Sequence, residues 1–211
     1  MHLMEDALRL ICGQDPHAGS SGRYLVKSLY FDTPDMRCYY QTKDGIDNRA
    51  KYRIRIYDGS DEYICLERKE SLRGKKRKVQ EVISRRVYEG IVCGEQEVSG
   101  GELLSRFLTD RDVFLLEPKA VICYDRTPLI HPAGNVRITF DGNISVYSGE
   151  LFSEGVGLPV MSGDMGVMEV KYDEVLPGAI ADCLRAYDIK ASSFSKYLHG
   201  IDALSGIVIG G

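Results

Sequence analysis

Between residues 48 and 58 the chain runs NRAKYRIRIYD, with Arg49, Lys51, Arg53 and Arg55 on one parity and Ala50, Tyr52, Ile54 and Ile56 on the other. Side chains two apart share a face of a pleated strand, so the run predicts a strand with one basic and one apolar face. The division recurs. In EYICLERKE, Glu67 and Lys69 share a face with Cys65, opposite Ile64 and Leu66. In NVRITFD, Arg137 and Thr139 oppose Val136, Ile138 and Phe140, and in GVMEVKYD, Glu169 and Lys171 oppose Met168, Val170 and Tyr172. Arg126 of AVICYDRT shares its face with Ile122 and Tyr124, a less clean separation.

Punctuation by Gly, Pro and Asp sets the remaining elements. MHLMEDALRLI carries Leu3, Ala7, Leu8 and Ile11 at helical spacing and stops at Gly13. YLVKSLYFD (24–32) predicts a strand ended by TPD, and SLRGKKRKVQEVI predicts a turn at Arg73-Gly74 and another strand, which makes the first half an antiparallel meander. GELLSRFL (101–108) has helical spacing. Three further strands follow, then a helix in PGAIADCLRAYDI with Pro177 in its first turn, and a loop and short helix in SSFSKYLHGIDAL. With no internal repeat or linker, the expected class is α+β, mainly antiparallel β, as one domain over residues 1–204 with a tail from 205 to 211.

Composition changes this picture in one respect. The formal charge is only −4, which gives no global attraction to nucleic acid, yet residues 49–78 hold eleven Lys and Arg against five Asp and Glu. A cationic segment in an acidic chain leaves two readings of the basic faces: a solvated surface, or a concave lining for an anion. A solvated surface has no reason to select Arg and Lys so consistently. A ring of them supplies charge-assisted hydrogen bonds to phosphate oxygens, and a nearby carboxylate can hold a divalent cation. The six cysteines form neither C-x-x-C pairs nor Cys/His clusters, so a reduced, cytoplasmic setting is expected, and no apolar run is long enough to span a membrane. The glycines of SGDMG do not make a P-loop, and the four histidines suggest no triad.

Taken in order, SLYFDTPD, NRAKYRIRIYD, CLERKE, MEVKY and SFSKYLHGI resemble the VTC (vacuolar transporter chaperone) domain, the polyphosphate polymerase branch of the triphosphate tunnel metalloenzymes (CYTH-like). The resemblance spans roughly residues 1–204. It implies a β-barrel tunnel with helices packed outside that binds a polyanionic phosphate chain with Mn2+ or Mg2+ and transfers the γ-phosphate of ATP to polyphosphate. By the same resemblance Arg53, Arg55, Lys69 and Lys196 are the catalytic positions. Phosphate contacts come from these four with Lys78, Arg126, Arg137, Lys171 and Ser195, and Glu169 is the metal ligand. Glu67 is added here as a second acidic metal group, its alternative being an ion-pair partner for a neighbouring cation. Family members carry a charged strand of the form R-x-E-x-K-Y before the first helix, whereas only Met1 to Met4 precede it here. The expected tunnel therefore lacks its usual first strand, which leaves three alternatives: a second copy or partner chain that completes it, a rearranged N-terminus, or an artificially shortened chain. A triphosphatase of the same fold and a non-catalytic polyphosphate-binding module remain alternative functions.

Overall fold

Alternation of apolar and polar side chains makes strands here, and turns that demand positive φ join them. The computed structural model describes residues 2–95, 98–189 and 191–206; of the expected tail, residues 207–211 lie outside the described residues. The elements are α1 (His2–Arg9), β1 (Gly13–Gln14), β2 (Tyr24–Asp32), α2 (Arg37–Lys43), β3 (Arg49–Tyr57), β4 (Ile64–Leu72), β5 (Lys75–Ile83), α3 (Arg85–Cys93), α4 (Glu102–Phe114), β6 (Glu117–His131), β7 (Val136–Tyr147), β8 (Leu158–Pro159), β9 (Val167–Lys171), α5 (Gly178–Ala186) and α6 (Lys196–Leu204). The β4–β5 hairpin turns on Arg73 and Gly74, both left-handed (φ 51° and 75°), the geometry that matches strand twist in a two-residue loop.

One antiparallel sheet runs in the order β5-β4-β3-β2-β6-β7, with β8 and β9 both on β7 and β1 on β6. β4 and β9 lie five strands apart, which in a flat sheet is about 24 Å at ~4.8 Å per strand. Lys69 of β4 nevertheless feels the charges of Glu169 and Lys171 on β9, so the sheet curls until these strands face each other. Among the described residues β5 and β9 do not pair, and the sheet is an open-sided trough, in line with a tunnel that lacks its first strand.

Helices cover the outer surface. Ile54, Ile56, Ile64 and Leu66 are fully buried beneath Tyr88 and Ile91 of α3 and Leu104 and Phe107 of α4. Each such side chain contributes about 1.5–3 kcal/mol on burial. α4 lacks a local side-chain cap, and Glu81 of β5 supplies it: its carboxylate accepts from the backbone N–H groups of Gly101 at 2.7 Å, Leu103 at 3.0 Å and Leu104 at 3.1 Å. α1 and α5 cover the outer face of β6 and β7 through Met4, Leu8 and Ile180 against Leu129, Ile138 and Phe140. Two helices had no assignment from the sequence: α2, whose N-cap Met36 makes no side-chain cap, and α3, capped by Ser84 accepting from Val87 N–H.

α6 is the exception to the outer layer. It lies on the concave side, against β6 and β7, where Gly200 meets Ile122 and Val146. A Cβ at Gly200 would clash with Ile122 Cδ1 and stand 3.3 Å from Val146. Gly200→Ala is expected to cost about 1–3 kcal/mol of stability, measured by urea unfolding. Adding Ile122→Val, which removes Cδ1, should recover part of the loss; no recovery would mean that this approach is not what requires glycine.

Candidate functional site

Residues paired across antiparallel strands share a face, so the ladder registers define rows across the trough. Lys78, Lys69 and Lys51 form one row across β5, β4 and β3. Gln80, Glu67, Arg53, Tyr30 and Ala120 form the next, extending onto β2 and β6, and Val82, Cys65, Arg55, Ser28 and Ile122 the third. The basic parity of β3 therefore lines the concave face, and its apolar parity packs under α3 and α4.

Buried cations need counter-ions, and two carboxylates provide them. Glu67, only 3% exposed, accepts from Arg53 Nε at 2.5 Å and lies 2.7 Å from Lys78 Nζ and 3.8 Å from Arg55 Nη1. Burial opposes ionisation of Glu67, yet Arg53, Arg55 and Lys78 outweigh it and hold the carboxyl at about 2. Asp141, 1% exposed, accepts from Arg126 Nε at 2.7 Å and Nη2 at 2.8 Å, and Lys196 Nζ lies 2.7 Å away. Those two cations likewise overcome burial and hold Asp141 below the usual carboxylate range. The Tyr124 hydroxyl joins the hubs, accepting from Arg55 Nη2 at 3.2 Å and from Arg126 Nη2 at 3.4 Å. Tyr30 receives Arg53 Nη1 at 2.9 Å and stacks on Tyr197 of α6 with ring centroids 5.1 Å apart. Tyr197 in turn donates to the buried Asp32 at 2.7 Å.

Other cations lack such partners. Lys51 makes no ion pair among the described residues; burial pushes its ammonium down to about 8, with Arg49 and Lys69 adding to the effect. Lys69 also ionises below the ordinary lysine range, because protein on either side strips water from it and Arg53 repels it, although solvent reaches it from the open side. Among the described residues Lys171 pairs only with the half-exposed Glu169, at 3.3 Å. On this face the lysines and arginines outnumber the carboxylates that neutralise them.

The residues assigned from the sequence thus divide. Arg53, Arg55 and Lys78 meet at Glu67, Arg126 and Lys196 meet at Asp141, and Lys69 faces Glu169 and Lys171. Arg137 stands apart, 2.9 Å from Asp15 and donating to the Tyr24 hydroxyl at 3.3 Å. The Ser195 hydroxyl caps α6, accepting from Leu198 N–H at 3.4 Å. Glu67 is the counter-ion of Arg53, Arg55 and Lys78, the ion-pair role given above as its alternative. Among the described residues no group of three or more His, Cys, Asp or Glu could hold a metal. Glu169 alone, half-exposed, fits an ion that draws most of its ligands from water and phosphate oxygens, as Mg2+ commonly does. Asp141, Tyr30, Tyr124 and Tyr197 were not assigned; the signal for Asp141 was its parity with Arg137 in VRITFD.

If Glu67 has this role, its folded pKa near 2 lies below its ordinary 4.5. The stabilisation is then complete above 4.5 and disappears as pH falls through 2, amounting to at most about 3 kcal/mol. Glu67→Gln should lower stability at pH 7 by up to that amount in urea unfolding, and its gap to wild type should close between pH 5 and pH 2. A gap independent of pH would contradict the role.

A family model described as the VTC domain matches residues 5–205. No curated protein sequence matches the chain. Among solved structures, a "putative adenylate cyclase" from Bacillus halodurans is 15% identical with a TM-score of 0.54, over 90% of this chain and 88% of that one. The PH1819 protein from Pyrococcus horikoshii is 13% identical with a TM-score of 0.43, over 89% and 81%. At such identity the first likeness bears on the fold alone.

Proposed function

From the premise that the chain belongs to the VTC domain family, we propose that the trough binds the phosphate chain of ATP and of inorganic polyphosphate and, with Mn2+ or Mg2+, transfers the γ-phosphoryl group of ATP to the polyphosphate end. The observation that carries this reading is the surplus of cations on the concave face, held in fixed positions by Glu67 and Asp141. Phosphoryl transfer asks little covalent chemistry of the protein, so positioning and neutralisation of charge supply most of the catalysis. Arg53 and Arg55 are braced by Tyr30, Ser28 and Tyr124, so their guanidinium groups meet phosphate oxygens with little reordering. Lys51, Lys69 and Lys171, less well neutralised, add charge along the chain. Lys196 and Arg126 act from the opposite wall. Glu169 would hold the metal, which when bound would supply positive charge to offset that of the phosphate oxygens. Attack of a terminal polyphosphate oxygen on the γ-phosphorus breaks the bond to the β-bridging oxygen, and ADP leaves.

A triphosphatase needs the same floor with water as acceptor, and the open side of the trough by Lys69 is the observation in its favour. Incubation with ATP and Mn2+, with products resolved by size, separates the readings. Long phosphate polymers are expected; free phosphate alone would replace the polymerase with hydrolysis, and binding without turnover would leave a binding module. Arg53→Ala or Arg55→Ala should weaken tripolyphosphate binding by about ten- to a hundredfold, the loss of one charge-assisted contact of about 1.5–3 kcal/mol, with circular dichroism unchanged. Normal binding by either variant would remove these arginines from the site.

A further inference from the structure

The outer face of the same two strands carries a second cavity. Tyr52 of β3 and Arg68 and Glu70 of β4 point away from the trough, and with α2 and α4 they line a half-open cavity of about 340 Å3, within the range of small-molecule sites. We propose that this cavity binds a monophosphate ester carrying a flat ring, about the size of a nucleoside monophosphate.

Charge is the first argument. Arg37, Arg49, Arg68 and Arg106 line the cavity against two carboxylates, Glu70 and Asp110. Glu70 pairs with Arg68. Asp110 accepts the Tyr52 hydroxyl at 2.6 Å and lies 3.6 Å from Arg106 Nε and 3.8 Å from Arg68 Nε. Arg37 and Arg49 pair with no carboxylate among the described residues: Arg49 donates to the carbonyls of Ile46 and Gln41, and the Arg37 guanidinium rests 5.4 Å from the Phe114 ring centroid. Two guanidinium groups in excess match one dianionic phosphate, which arginine binds bidentately.

An unmet donor is the second argument. Arg68, whose side chain is 11% exposed, keeps a buried Nε–H with no hydrogen-bond partner among the described residues, and such groups ordinarily find one. The third is the wall. Phe114, 42% exposed, lines the cavity beside Leu116 and offers a ring a stacking surface next to the arginines. A long phosphate chain does not suit this volume, so the ligand differs in class from that of the trough.

Isothermal titration of the full chain with AMP and with phenyl phosphate tests the site. Both should bind, and saturating tripolyphosphate should not displace them. Arg37→Ala and Arg106→Ala, both at exposed residues, should weaken AMP binding at least tenfold and leave tripolyphosphate binding unchanged, while Lys69→Ala should show the reverse pattern. Absence of binding by either compound at millimolar concentration, displacement by tripolyphosphate, or unchanged AMP affinity in both arginine variants would overturn the proposal. None of these outcomes depends on whether the trough turns ATP over.

Discussion

Placing guanidinium groups on the inner face of a sheet costs several kcal/mol per ion unless each finds a partner of opposite charge. Arg55 is 6% exposed and Arg53 lies beside it, and both lean on Glu67, which is itself nearly inaccessible. The apolar parity of β3 and β4 is committed to α3 and α4, so the alternation of the strands sends the cations inward. Glu67 makes that arrangement tolerable, and with Lys78 it links three neighbouring strands through one carboxylate. Asp141 does the same for Arg126 of β6 and Lys196 of α6.

The two hubs neutralise only part of the charge they organise. What is left forms a fixed positive field along a concave surface, with aromatic hydroxyls holding the guanidinium planes. Such a surface gains from a polyanion more than from separate small ions, because one flexible chain can meet several preordered cations at once. The open side between β5 and β9 leaves solvent access to Lys69 and Glu169.

Much of this was written in local alternation. RAKYRIRIY and ICLERKESL announced two-faced strands, and Arg73-Gly74 announced its hairpin, because strand parity and turn conformation are set by neighbouring residues. The inward direction of the basic face came from its recurrence, since one strand alone would fit a solvated surface. Three features needed contacts distant in the chain. α4 is capped by Glu81 some twenty residues earlier, so its cap left no local trace. α6 has an apolar stripe that says it packs, without saying on which side of the sheet. Glu67 and Asp141 became counter-ions only through register, opposite Arg53 and Arg126, and a lone carboxylate in a basic strand reads equally as a metal ligand.

The most direct test of the inward, under-neutralised cationic face is the unfolding midpoint measured at fixed ionic strength with phosphate, pyrophosphate, tripolyphosphate and longer polyphosphate. A ligand that binds only the folded chain raises the midpoint with its affinity. The account predicts a midpoint that climbs with chain length as more of the fixed cations are engaged together. Equal midpoints across the series would contradict it, since a solvated basic surface answers to ionic strength and not to the length of the anion.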